Sequence, residues 1–301
     1  MIGAVVVLFE PNIEEVCQVI NQVSKQVDKV IIVDNSPLKT NFKNGLIEIN
    51  DDEIDSHSHF DFIHFASNIG IAAAHNTGLN VLIEQGFEYA LLLDQDSHVD
   101  DNLVFNLSSL LQAPAYIKHP LAAIGPQIYC AFSEQKVLPK VQREIFDYDE
   151  LAITTQIIAS GMLINLFVIN TVGLKNEHLF IDGVDHEWCW RAKSKGFFIA
   201  KAKNVSMIHK NGDKRSKFLG VTYKVGQPIR LYYQFRNVLL LSRLSYVPIY
   251  WKVRCIIKLP IRLAINSTMQ ANRYSRLCFM LKGLVDGILN RRGDYQQNWK
   301  K

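Results

Sequence analysis

Three short apolar runs, 3–9 (GAVVVLF), 29–33 (KVIIV) and Tyr89–Leu93 (YALLL), each stop abruptly at a polar cluster: Glu10-Pro11-Asn12, Asp34-Asn35-Ser36 and Asp94-Gln95-Asp96. Continuous apolar runs of this length read as strands covered on both faces, the habit of parallel sheets. Between the first two, Val16, Val19, Ile20 and Val23 recur at helical spacing within Glu14–Gln26, completing a βαβ unit. A further strand is expected at 61–65 (DFIHF) and a helix from Gly70 to Leu82. Strands alternating with helices predict an α/β fold with a doubly wound, mixed, mostly parallel sheet. Ligands of such sheets collect outside the carboxyl ends of the strands, and all three polar clusters fall on that rim. Each also has a plain reading, since VDNSP makes a good turn and EPN a good helix cap.

At 301 residues, 48% hydrophobic and 21% charged, the chain can bury a sizeable core, which excludes disorder as its default state. The cysteines Cys17, Cys130, Cys189, Cys255 and Cys278 form no C-x-x-C pair, so neither a zinc site nor a disulfide framework is expected, and a reducing cytosol fits. The N-terminus lacks the basic and apolar regions of a signal peptide, and no export is expected. Residues 39–60 read as a polar surface excursion with no assigned role.

Three constellations carry chemistry. Asp94 and Asp96 follow a buried strand and alternate onto one side, two carboxylates within reach of a hard cation such as Mg²⁺ or Mn²⁺; a capped strand end is the alternative. Asn68-x-Gly70-x-Ala72-x-Ala74-x-Asn76-x-Gly78 sets small residues and two amides at a helix start, where backbone N–H groups can approach a phosphate, although close helix packing explains it equally well. In FIDGVDHEWCWR, Asp182, Asp185 and Glu187 precede Arg191, a cation that can hold a carboxylate ionised for use as a general base; a salt-bridged helix start with Trp188 and Trp190 as packing residues is the alternative. His209 stands between a structural reading and a metal-site one.

In their order, VVVLFEPN, VDNS, NIGIAAAHNTG, LLLDQDS, ASGMLIN, FIDGVDHEWCWRA and the IHKNG turn resemble the family 2 glycosyltransferases, and within them the bacterial dTDP-rhamnosyltransferases of O-antigen-type surface polysaccharide synthesis, over residues 3–215. The resemblance implies a GT-A catalytic domain at 1–215. It implies that Phe9, Glu10, Asp34 and Asn35 hold the nucleobase and ribose, that Asn68, Gly70 and Asn76 line the nucleotide site, and that Gln95 belongs to the nucleotide-sugar contacts. Asp96 would bind a divalent cation directly, Asp94 would contact ribose or metal-bound water, and His209 would complete the metal site. Asp185, six residues before Arg191, would be the base of an inverting single displacement from dTDP-β-L-rhamnose. Val184 stands where the wider family has Glu, which keeps Asp182 and Glu187 as rivals. A UDP-hexose donor is the alternative within the same fold.

The remaining region, 216–301, reads as basic and helical. Residues 214–301 carry 18 Lys/Arg against Asp286 and Asp294 alone, a charge of +16 that leaves −12 on the rest. Cations interleaved with Leu, Ile, Tyr and Trp predict amphipathic helices in the headgroup layer of an anionic membrane, with no run long enough to span it. The expected setting is cytoplasmic, peripheral on the inner face of the cell membrane, with a lipid-linked glycan as acceptor. Nucleic acid is the rival partner for such charge, but no recognised motif for it is present, and it leaves the carboxylate clusters unexplained.

Overall fold

The structure is a computed structural model that describes residues 1–42, 59–112, 120–130, 144–148, 150–209, 215–218, 221–224 and 227–299. Most of the 39–60 excursion, and residues 210–212 of the IHKNG turn, lie outside the described residues.

Ten strands form one sheet: β1 (Ile2–Leu8), β2 (Lys29–Asp34), β3 (Phe60–His64), β4 (Tyr89–Asp94), β5 (Ser97–His98), β6 (Leu121–Cys130), β7 (Glu144–Asp147), β8 (Leu151–Thr154), β9 (Met162–Asn165) and β10 (Phe198–His209). Their order is β3-β2-β1-β4-β9-β6-β10-β8-β7, with β5 added along β10. The parallel part is β3-β2-β1-β4, whereas beyond β4 only β6 and β10 pair in parallel. The sheet is therefore mixed, with its parallel character concentrated where the three apolar runs lie.

Those runs are continuous because the sheet is covered twice. In β1, Ala4, Val6 and Leu8 join the core under α1 (Ile13–Val23) and α3 (Leu103–Gln112), while Val5 and Val7 join the core under α2 (Ile71–Glu84). Fully burying each of these Val and Leu side chains stabilises the fold by about 1.5–3 kcal/mol. Asn12 caps α1, its side chain accepting from the N–H groups of Glu14 and Glu15. In the register, Leu8 is opposite Asp34 and Val7 opposite Asp94, so the two acids flank the end of β1, ~10 Å apart across two strand spacings.

After α4 (Ile169–Val172) and α5 (Val184–Ser194), a hairpin of β11 (Arg215–Phe218) and β12 (Val221–Lys224) leads to α6 (Pro228–Ser242), α7 (Ile249–Thr268), α8 (Arg273–Ile288) and α9 (Tyr295–Trp299). The basic region is thus mainly helical, and α6 crosses α8 where a Cβ on Gly283 would fall 2.4 Å from the Tyr232 carbonyl oxygen. No described helix is long and apolar enough to cross a membrane.

Candidate active site

On the parallel rim the polar side chains are fastened to one another. Asp34 is fully buried, with Oδ1 accepting from Ser36 N–H at 3.1 Å and Oδ2 from Thr40 N–H at 2.6 Å, and with His64 Nδ1 3.2 Å from Oδ2. Asn35 donates to Asn68 Oδ1 at 2.9 Å and accepts from Ile69 N–H at 2.8 Å. Glu10 has a left-handed φ of 46° and donates its N–H to Ser36 Oγ. Gln95 closes the rim on the backbone of Phe9, accepting from its N–H at 2.7 Å and donating to its carbonyl at 3.3 Å. A cavity of about 440 Å³ opens beside it, lined by Glu10, Pro11, Ser36, Leu38 and Thr40. The rim therefore offers Phe9, 38% exposed, and backbone to a ligand, with Asp34 fixing the shape beneath.

Asp94 and Asp96 lie at the end of β4, partly exposed. The turn between them is pinned by Ser97, whose Oγ accepts from Asp94 N–H at 3.1 Å and lies 2.9 Å from Ser160 Oγ. The backbone of His209 pairs with Ser97 through β5 and β10, bringing that residue beside the triplet; its side chain lies outside the described residues. Among the described residues no three His, Cys, Asp or Glu side chains are grouped to hold a metal. Two carboxylate donors at a strand end still fit a Mg²⁺ or Mn²⁺ that takes its other oxygens from water and a diphosphate.

The third constellation is rearranged from expectation. Arg191 does not hold Asp185; its Nε and Nη2 grip the fully buried Glu187 at 2.8 and 3.1 Å, and its Nη1 and Nη2 donate to the carbonyls of Val172 and Leu174. Helical geometry is the reason, since i,i+4 spacing stacks Arg191 on Glu187 whereas a spacing of six turns Asp185 away. Asp185 instead accepts from Lys175, a buried lysine whose Nζ lies 2.8 Å from Oδ1. Sequence reasoning missed Lys175, because a lone lysine ten residues upstream carries no motif.

Asn76, expected to line the nucleotide site, is buried and spent on Lys175: its Oδ1 accepts from the Lys175 N–H and its Nδ2 donates to the Lys175 carbonyl, both at 2.9 Å, and to Glu177 at 2.7 Å. The adjacent His75, also missed, is fully buried, and neither ring nitrogen has a hydrogen-bond partner among the described residues. Burial, reinforced by Lys175, pushes His75 down to about 3, so the ring is neutral. Burial pushes the Asp185 carboxyl up, but the Lys175 ammonium, with smaller contributions from His75 and His186, outweighs it and holds Asp185 below the ordinary carboxylate range. The three acids thus differ. Arg230 engages both Asp182 oxygens, and Arg191 engages both Glu187 oxygens with the Tyr246 hydroxyl at 2.5 Å on one of them. Asp185, with 26% of its side chain exposed, keeps Oδ2 clear of hydrogen bonds among the described residues.

The loop before α5 is strained: Phe180, Asp182 and Gly183 all have positive φ, and Ile181 N–H donates to the Leu179 carbonyl in a γ-turn centred on Phe180. Gly70 is required opposite it, because a Cβ there would fall 2.8 Å from the Phe180 carbonyl oxygen. The helical region holds this loop in place. Asn237 donates to the carbonyls of Leu179, Ile181 and Asp182, Arg236 donates to those of His178 and Leu179, and Tyr233 stacks on Phe180 at 4.7 Å. The Lys175–Asp185 pair and the carboxylate triplet are linked through β9, since Lys175 Nζ lies 3.9 Å from Met162 Sδ and Met162 pairs with Leu92, two residues before Asp94.

Known proteins share this fold. The chain is 28% identical over 296 residues, 95% of both chains, to the dTDP-rhamnosyl transferase RfbF of Shigella flexneri. Among solved structures it is similar to S. aureus TarS 1-349 in complex with UDP (TM-score 0.57, 12% identity, 96% of this chain and 81% of that one). It is also similar to GalNAc-T7 with UDP, GalNAc and Mn²⁺ (TM-score 0.55, 13% identity, 96% of this chain and 56% of that one). It is a glycosyltransferase of the GT-A fold. No family model matches the chain.

Proposed function

We propose that this glycosyltransferase moves L-rhamnose from dTDP-β-L-rhamnose to a hydroxyl of a glycan acceptor, with inversion and with Asp185 as base. The observation that carries the chemistry is the single open oxygen of Asp185, the one acid of its cluster not engaged on both oxygens, joined through Met162 and β4 to Asp94-Gln95-Asp96. The full-length similarity to a dTDP-rhamnosyl transferase supports the donor. Phe9 and the Glu10 and Asn68–Gly70 backbone would receive the nucleotide on a rim that is formed before it binds. Asp96 and Asp94, with His209, would hold a divalent cation, which when bound neutralises charge on the leaving diphosphate. Asp185 takes the acceptor hydroxyl proton as the new glycosidic bond forms, and no covalent enzyme intermediate is needed.

The acceptor we propose is lipid-linked, with the enzyme peripheral on an anionic membrane. Supporting this, α7 presents Ile249 (72% exposed), Val253, Ile257 (60%) and Ile261 (55%) at every fourth position, beside Arg254 and Lys258. An apolar stripe with a cationic shoulder suits the headgroup layer, where each cation contributes about 1 kcal/mol. The donor reading is tested by calorimetric titration of dTDP-rhamnose, UDP-glucose, UDP-galactose and GDP-mannose with and without Mg²⁺ or Mn²⁺. Metal-dependent preference for dTDP-rhamnose is expected, and preference for another sugar nucleotide replaces the donor while keeping the mechanism. The membrane reading fails if the protein does not sediment with anionic liposomes at low salt.

A further inference from the structure

Lys175 is more than a packing residue. Its ammonium is buried, a position that is costly unless compensated, and its surroundings include the Met162 thioether and the Trp188 ring 5.8 Å away, which a methionine would fill as well. Its backbone is locked from two sides: Asn76 holds its N–H and carbonyl, and Arg191 holds the carbonyls of Val172 and Leu174. The ammonium is thus delivered to one oxygen of one carboxylate.

We propose that Lys175 is a positioning residue of the transfer reaction, fixing Asp185 through Oδ1 so that Oδ2 is the oxygen presented to the acceptor. This rests on the reading of Asp185 as base. In the step, Oδ2 takes the proton of the acceptor hydroxyl while that oxygen forms its bond to the anomeric carbon. The bond from the anomeric carbon to the diphosphate oxygen breaks, its electron pair leaving with the nucleoside diphosphate. The groups facing the pair are His75 from α2 and His186 and Cys189 from α5, with Asp182 from the preceding loop acting on His186 and Glu187 acting on Cys189. His75 is neutral, burial lowers His186, burial pushes the Cys189 thiol up to about 12, Glu187 is closed by Arg191, and Asp182 is closed by Arg230. Lys175 is the dominant charge acting on Asp185, with smaller contributions from His75 and His186, and the His75 ring, held down to about 3, is neutral near pH 7.

The test is the pH profile of kcat/KM in three variants of the full chain, each checked by thermal melt and by calorimetric titration with dTDP. Lys175→Met is expected to bind dTDP within about twofold of the parent and to shift the acid limb upward by about one to three units, since the loss of an adjacent opposite charge leaves burial to act alone. Lys175→Arg keeps a cation there but presents a fork that engages both carboxylate oxygens. It is expected to leave the acid limb in place and lower kcat at least tenfold. An unmoved acid limb in a folded Lys175→Met, or an undiminished kcat in Lys175→Arg, overturns the proposal. Should the Met variant fail to melt cooperatively, the Arg variant carries the test. Asp185→Asn separates the two ideas: if it still turns over, the base assignment has failed, whereas if it is inert and Lys175→Met is normal, only the role of Lys175 has.

Discussion

The two polar stations of this molecule are built in opposite ways. On the rim of the parallel strands, Asp34, Asn35, Asn68 and Gln95 spend their hydrogen bonds on one another and on backbone, so the surface that we propose receives the nucleotide is shaped before any ligand arrives. At the start of α5, one carboxylate is held at a single oxygen by a buried cation, and its other oxygen has no hydrogen bond among the described residues. A saturated network gives a fixed shape, and an unsaturated one gives reactivity. On the proposed reading, the comparison separates binding from chemistry.

The strongest way to break that division is Asp185→Asn. Turnover should fall by about 10²–10⁴-fold, the usual share of a general base, while dTDP binding measured by calorimetry stays near that of the parent. Loss of binding in step with turnover would place Asp185 on the binding side. Next comes Glu187→Gln, which leaves Arg191 facing a neutral amide in a buried site and should lower unfolding free energy by about 3–5 kcal/mol in denaturant titration. An unchanged midpoint would remove the structural role given to that pair. Asp34→Ala leaves the Ser36 and Thr40 amides without acceptors and should cost about 1–3 kcal/mol of stability, weakening nucleotide binding through shape while sparing the pH profile.

A pH experiment sharpens the same contrast. The His75 ring is held neutral in the fold, down to about 3 from 6.5, so the unfolded chain binds the extra proton between those values. Its contribution is whole above pH 6.5 and is lost as pH falls toward 3. The melting temperature of the parent should therefore decline through that window, and His75→Gln should flatten the decline. The smallest effect belongs to Arg230→Ala: its bond to Asp182 is bidentate, but the arginine is half exposed, so less than about 1 kcal/mol of stability is expected to go.

Much of the fold was legible because its signals are local. The alternation of β1, β2 and β4 between two cores accounts for runs with no polar interruption, and Asn12 sits where a cap was readable. Strand ends carry Asp34 and Asp94 to one rim whatever the details of the loops. Cysteine spacing gave no reason to expect a bridge, and Cys17, Cys189, Cys255 and Cys278 are free. The cation beside Asp185 was not legible. Spacing suggested Arg191, and the helix turned that arginine onto Glu187. Asn76 looked like a ligand contact from its neighbours in the chain, and it is instead the brace of a segment 99 residues away.

The sequence by itself determined a sheet covered on both faces, an acidic part followed by a basic, mainly helical one, and the strand ends where carboxylates gather, because periodicity and strand termination depend on near neighbours. Only the tertiary structure decided which charges meet. Lys175 reaches Asp185 because Asn76 and Arg191 lock its backbone, and Asn237 and Arg236 on α6 fasten the strained loop that starts α5. Those contacts join distant segments, and Coulomb interactions in a buried site depend on distances in space that no spacing along the chain encodes.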